Sequence, residues 1–291
     1  MKVYPFVIPK PSGKHLVVEV DRGEAFFDKL HRHDEIQISL IVSGRGTLFA
    51  VDGIHPFRPG DLFLIGGGNP HFFRSQPDGP CHMVSVFFTR EAFGDGFFDT
   101  PELTELRPVL DKATASYRLT SHRKQARTFM LELPDAGSFD RFILLLRLLK
   151  TLSGSRMEPV SEGASGRRIS SAEGQRLQSV FEFATRNFRE EMRLEQVAAL
   201  AHLTPNAFCR FFKQRTRKTF FRFLTELRIE HSRQLLAGNR EMPIGEVARA
   251  SGFNSITRFN RQFRELCGCT PGEFRKKGAA DTLPPGRGMR G

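Results

Sequence analysis

The run GFNSITRFNRQFRELCGCTPGEFRKK, from Gly252 to Lys277, constrains this chain more than any other stretch. Ser255 is placed to cap a helix in which Phe259, Phe263 and Leu266 fall at helical spacing. On the other side of that helix lie Thr257, Asn260, Arg261 and Arg264. Aromatic anchors behind and Asn/Arg in front suit the DNA major groove, where those side chains pair bidentately with adenine and guanine edges. Thr270, Pro271 and Glu273 then fit the N-cap, first and third positions of a following helix, the pattern of a capping box.

The pattern occurs twice. Val197-Ala198 matches Val247-Ala248 at an offset of 50, and one extra residue in the second turn makes the offset 51. Thr204, Phe208, Arg210, Phe212 and Lys213 then match Ser255, Phe259, Arg261, Phe263 and Arg264. Each copy reads as helix, short turn, helix. Thr204-Pro205 opens the second helix of the first copy, and Asn206, Cys209, Arg210 and Lys213 fall on its outer side. The first helix of that copy, from Leu194, lacks a good N-cap because Met192 and Arg193 precede it. Between the copies, Phe220 to Gly238 reads as one long helix able to hold them apart. Two such readers enter successive major grooves when spaced about one DNA turn, roughly 34 Å.

Charge follows the same division. The chain carries a formal net charge of +12. From Glu173 to Lys277 there are 20 Lys/Arg against 11 Asp/Glu, whereas from Met1 to Ser153 there are 19 against 18. The positive field therefore belongs to the C-terminal third, as polyanion binding requires. The four cysteines are scattered and form no disulfide framework. Cys267-Gly268-Cys269 has no second pair nearby and reads as a helix end, not a metal knuckle. No apolar run is long enough to cross a membrane, and the first residues lack a signal-peptide core, so a cytoplasmic protein is expected.

Upstream, residues 1 to about 95 alternate in short apolar runs such as HLVVEV, EIQISLIV and DLFLI, broken by Gly, Pro and Asp. That pattern predicts a sandwich or barrel of short strands. Phe139 to Leu152 follows as a helix with a broad apolar face, which packs on the strands or on the same helix of a second chain. Gly154 to Arg168 is rich in Gly, Ser and charge and reads as a flexible linker, and Ser170 with Glu173 as a capping box opens the helical part.

The signature held by Phe253, Ser255, Phe259, Arg261, Phe263, Arg264, Gly268, Thr270, Pro271, Phe274 and Arg275 resembles that of AraC/XylS-type transcriptional regulators, over Gln175 to Lys277. The resemblance implies seven helices with two helix-turn-helix units on one chain. It implies DNA binding through Asn206, Cys209, Arg210 and Lys213 in the first unit and Thr257, Asn260, Arg261 and Arg264 in the second. Arg210 and Arg261 suit guanine, Asn260 adenine, and Lys213 and Arg264 phosphates. Cys209 is a poor base reader, and Arg261, as a signature residue, has an alternative role in bonding the preceding helix.

In the N-terminal part, His31-Arg32-His33-Asp34-Glu35-Ile36-Gln37 reads as the start of a strand, whose alternation places His31, His33, Glu35 and Gln37 on one face. With Gly44, Gly46, Pro59, Gly60, Asp61 and His71, this resembles the two motifs of the cupin barrel, over about Pro5 to Phe88. In metal-binding cupins a carboxylate stands where this chain has Gln37, a weaker and neutral ligand. Three readings of His31, His33, Gln37 and His71 stay open: a small polar effector site, which is preferred, a metal site, or barrel-lining groups bonded to one another. No metal or cofactor is expected.

The fold class expected is multidomain α+β, a cupin-like β-barrel with helices followed by an all-α domain. Residues 1–153 form the effector-sensing and dimerisation domain, 154–169 the linker, 170–277 the DNA-binding domain and 278–291 a disordered tail. The function expected is a sequence-specific transcriptional regulator, an activator responding to a sugar-like effector, and not an enzyme. Its expected partners are double-stranded DNA, the effector, RNA polymerase and a second copy of the chain, with no membrane. Two rivals are a metal-dependent cupin enzyme with an accessory DNA-binding domain and a non-specific architectural DNA binder.

Overall fold

The computed structural model describes residues 15–76, 79–161 and 169–277. The tail 278–291 and positions 162–168 of the expected linker lie outside the described residues. The chain divides into two compact units at the Gly174–Gln175 junction.

Among its described residues the first unit has nine strands: β1 Leu16–Gly23, β2 Ile36–Ser43, β3 Gly46–Ala50, β4 Gly53–Phe57, β5 Leu62–Ile65, β6 His71–Ser75, β7 Cys81–Phe88, β8 Ser116–Leu119 and β9 Met157–Ser161. Three α-helices accompany them among the described residues: α1 Arg107–Lys112, α2 Arg123–Glu132 and α3 Ser138–Ser153. The strands form a six-stranded sheet in the order β1-β7-β2-β5-β8-β9 and a three-stranded sheet in the order β4-β3-β6. All pairings are antiparallel.

Strand alternation sorts the large sheet into two faces. Ile36, Ile38 and Leu40 of β2, Leu62 and Leu64 of β5, and Val84, Val86 and Phe88 of β7 share one core with Leu145, Leu148, Leu149 and Leu152 of α3. The intervening residues Ile41, Phe63, Ile65 and Met83 share another core with Leu48, Phe57 and Phe73 of the small sheet. The central strand β2 is therefore buried on both faces over most of its length, and the polar side chains of Gln37 and Ser39 are enclosed between the sheets. Helix α3 settles on the large sheet through Leu145, Leu148, Leu149 and Leu152, whereas Phe139 and Ile143 of the expected apolar face stay exposed; Phe142 packs on Phe93 at 4.8 Å between ring centroids.

One motif of the cupin resemblance acts as a support. Asp61, 2% exposed, accepts from the Arg58 amide at 3.0 Å and pairs with Arg123 of α2 at 2.7 Å. The turn is thus tied to the helical layer. One expectation is corrected. Within the stretch read as a flexible linker, Met157–Ser161 forms β9 and pairs with β8. Val160 joins the inter-sheet core, a long-range pairing that the Gly/Ser-rich flanks conceal.

The second unit is built from α4 Ser171–Asn187, α5 Leu194–Leu200, α6 Pro205–Thr216, α7 Phe220–Gly238, α8 Ile244–Ala250, α9 Ile256–Cys267 and α10 Pro271–Lys277. The two copies of the repeat are α5–α6 and α8–α9. Helix α7 serves both. Phe220 and Phe223, at its start, pack on Phe212 of α6. Ile229 and Leu236, further on, share a core with Val247, Phe253, Phe259, Phe263 and Phe274. At 1.5 Å per residue its 19 residues span about 28 Å.

Candidate functional site

The outer faces of α6 and α9 are prepared by their caps and anchors. Thr204 Oγ1 accepts from the Ala207 amide at 3.4 Å, and Ser255 Oγ from the Arg258 amide at 3.3 Å. Phe208 and Phe212 on α6, and Phe259 and Phe263 on α9, are fully buried. The opposite faces therefore point outward. Asn206, Cys209, Arg210 and Lys213 are all exposed, and so are Thr257, Asn260, Arg261 and Arg264. Each set lies on one helix, and the two occupy equivalent positions.

The charges around these faces are arranged unequally. Glu226 is held by Lys218 at 2.7 Å and Arg222 at 3.3 Å, Glu230 by Arg233 at 2.8 Å, and Glu265 by Arg222. Arg210, Lys213, Arg261 and Arg264 take part in no ion pair among the described residues. Their positive charge is left to a polyanion. No hydrogen bond or ion pair joins Arg261 to the preceding helix among the described residues; other arginines brace the loops. Arg228 donates to the Phe188 and Glu190 carbonyls at 2.6 and 2.7 Å, and Arg275 to the Met242 carbonyl at 2.6 Å. Burial first, and then the nearby Arg258, push the Arg228 guanidinium below its ordinary range. Arg258, exposed on α9 beside the expected set, is a cation that the sequence reading passed over. Burial also pushes the Cys267 thiol up to about 12, so it stays protonated and packs as an apolar side chain.

The histidine site of the first unit differs from the expected strand face. Regular pairing in β2 begins at Ile36, and His31 reaches the sheet only through a bridge to His71. His31, His33, Gln37 and His71 nevertheless come together, whereas Glu35 does not join them. Its carboxylate sits 3.6 Å from Nδ1 of His33, on the outer side of that ring. His33 and Gln37 are 3% exposed and His71 2%. The Nδ1 atoms of His31, His33 and His71 lie 2.8, 3.0 and 2.9 Å from the backbone carbonyls of Lys29, Glu35 and Asn69. Gln37 Oε1 lies 3.0 Å from His33 Nε2 and 2.9 Å from His71 Nε2. Gln37 Nε2 donates to Ser39 Oγ at 2.7 Å, which in turn meets Ser85 Oγ at 2.7 Å. Neither serine was among the expected site residues. The signal for Ser39 was its two-residue spacing from Gln37, which puts both on one face.

Two family models match the chain. An AraC-like ligand binding domain matches residues 17–156 and a helix-turn-helix domain residues 197–277. The chain belongs to the AraC family. It is a DNA-binding transcription regulator with an N-terminal ligand-binding unit. It is 23% identical over 256 residues to the HTH-type transcriptional activator RhaR of Mannheimia succiniciproducens, covering 85% of this chain and 87% of that protein. It is 24% identical over 247 residues to the arabinose operon regulatory protein of Escherichia coli K12, covering 82% of this chain and 79% of that protein. Among solved structures, the DNA-binding domain of AdpA in complex with a target DNA aligns at 26% identity and a TM-score of 0.34, over 35% of this chain and 92% of that one. No helix among the described residues is long and apolar enough to cross a membrane.

Proposed function

We propose that this AraC-family regulator is a sequence-specific transcriptional activator controlled by a small polar effector. Arg210 and Arg261 read guanine, Asn260 reads adenine, Asn206 and Thr257 contribute polar contacts, and Lys213 and Arg264 grip phosphates. Cys209 occupies a reading position without a strong hydrogen-bonding group. His31, His33, Gln37 and His71 hold the effector between the sheets, and its binding shifts the population of DNA-competent arrangements. Residues 1–153 carry sensing and 170–277 carry DNA binding. Phe139, 74% exposed, and Ile143 on α3 supply an apolar stripe for a second copy of the chain. RNA polymerase completes the set of partners, in the cytoplasm. The chain is a regulator and not an enzyme.

The observation that carries this reading is the pair of equivalent helix faces with outward Arg, Lys and Asn that no acidic residue neutralises. A mobility-shift assay with the full-length protein, at one fixed salt concentration, tests it. Duplexes selected from a random pool should bind at least about 10³-fold tighter than unselected ones. Equal binding would refute sequence-specific reading. Sugars and sugar acids are the first effectors to try, since one relative is named for an arabinose operon. A ligand at 100 times its dissociation constant raises stability by about 2.7 kcal/mol, which a thermal shift registers.

A further inference from the structure

Among the described residues of the second unit, two large apolar side chains stay exposed, Phe221 at 45% and Ile256 at 50%. A lone exposed apolar residue is ordinary on a protein surface, so its place decides what it means. Ile256 is the first residue of α9, directly after the Ser255 cap. By helical period it continues the row of Phe259 and Phe263, both fully buried, yet it lies beyond the core those rings share. The N-terminal residues of such a second helix are the ones that meet base edges in the major groove. Ile256 therefore stands among the groups assigned to DNA reading, with Thr257 beside it and Asn260 one turn on, all three exposed. The side chain is also held in place. Branching at Cβ leaves an isoleucine in a helix one strongly preferred χ1 rotamer. On α8, a Cβ added to Gly245 would lie 3.7 Å from Ile256 Cδ1, so the isoleucine rests over that glycine.

Base edges in the major groove present hydrogen-bonding groups with one apolar exception, the C5-methyl of thymine. An aliphatic side chain gains from that methyl and leaves the polar edge of any other base without a partner. Side chains four apart on a helix stand about 5–6 Å from each other at Cβ. Successive bases of one strand are about 3.4 Å apart, so Ile256 and Asn260 reach positions one or two base steps apart. We propose that Ile256 is a specificity-determining residue of the second unit, reading the C5-methyl of a thymine one or two steps from the adenine taken by Asn260. The first unit has no counterpart. At the offset of 51 the matching residue is Pro205, half-buried at the start of α6. Methyl reading thus distinguishes the half-site under α9 from the one under α6. The proposal rests on reading α9 as a major-groove helix.

Deoxyuridine differs from thymidine only in lacking the methyl group, and it tests the proposal on the full-length protein. Each thymine of a selected duplex is replaced in turn, and binding is followed by mobility shift at one fixed salt concentration. One replacement should weaken the natural protein about fourfold, the factor for burying one methylene-sized group. Ile256→Ala, too short to reach the methyl, should bind the unmodified duplex at least about fourfold more weakly. It should lose nothing further with deoxyuridine at that position, so the two changes do not add. Its binding to unselected duplexes should be unchanged, because phosphate contacts carry no sequence. A variant weakened only in its folding would lose both kinds of binding and would keep the deoxyuridine effect. The proposal is overturned if the protein still selects its duplex but no thymine loses its methyl sensitivity in Ile256→Ala. Should selected and unselected duplexes bind the natural protein alike, α9 is no reader, and the proposal falls together with that reading.

Discussion

The two helix-turn-helix units are built to one plan yet tightened to different degrees. At the turn between their helices the backbone takes a left-handed conformation in both, at His202 (φ 53°) in the first and Gly252 (φ 84°) in the second. The amide that follows closes the turn identically, Leu203 onto the Ala198 carbonyl and Phe253 onto the Ala248 carbonyl, each at 3.0 Å. The extra residue comes next, at Asn254. At the far end of the reading helix the contrast repeats, with Arg217 (φ 60°) in the first unit and Gly268 (φ 71°) in the second. An L side chain in this region costs of order 1 kcal/mol or more. The first unit therefore carries strain at two positions that the second relieves with glycine.

Packing explains why the second turn has no such latitude. A Cβ at Gly252 would lie 2.7 Å from the Phe188 carbonyl oxygen and 2.9 Å from both Arg189 Cα and Arg228 Nε. Arg228 is held there by the Phe188 and Glu190 carbonyls. The second turn is thus braced against the end of α4, and its reading face carries Asn260 where the first has Cys209. On the proposed reading, the braced turn accompanies the face that carries Asn260, and the other turn the face that carries Cys209.

The strongest way to break this contrast is Gly252→Ala. Backbone clash and left-handed strain together should cost about 2–4 kcal/mol, read by chemical denaturation, and abolish selective DNA binding. Next comes the readout itself. Arg261→Ala should lose about 1–3 kcal/mol on selected duplexes and relax the preference at one base position. Arg210→Ala should lose less in the same mobility-shift titration, and equal losses would erase the distinction between the platforms.

Acid offers a gentler probe. Burial, followed by the charge of Arg189, lowers the His231 imidazole from 6.5 to about 4. Its Nδ1 lies 3.2 Å from Ser251 Oγ, beside the second turn. The unfolded chain binds this proton more readily, so the stability from a neutral His231 is present above about pH 6.5 and declines as the pH falls toward 4. His231→Gln should flatten that decline in denaturation curves taken across the window. The smallest effect is expected for His202→Gly, where relief of strain offsets added chain entropy and stability changes by about 0.5 kcal/mol or less. A large loss there would mean that the first turn is braced as the second is.

Features governed by near neighbours in sequence were legible before the fold. The caps at Thr204, Ser255 and Thr270 and the anchors Phe208, Phe212, Phe259 and Phe263 follow from helical period, and the structure places them accordingly. The histidines were found from their spacing, but their geometry was not. A chain that bridges His31 to His71 and enters β2 only at Ile36 is shaped by partners far away. The same holds for β9, for Ser85 opposite Ser39, and for the brace of Arg228 on Phe188, which join positions 38 or more residues apart. Local pattern carries no record of them.

The single helix α7 also fixes a phase. Its ends are embedded in the hydrophobic cores of the two readers, so its length is a distance and its winding an angle. One residue added or removed would advance or retract the second reader by about 1.5 Å and turn it by about 100°. The turn matters far more than the shift, because a face swung through that angle leaves the groove altogether. Insertions within α7 should therefore be barred over evolutionary time, and changes in the spacing of the two DNA half-sites would have to wait for changes in the loops at its ends.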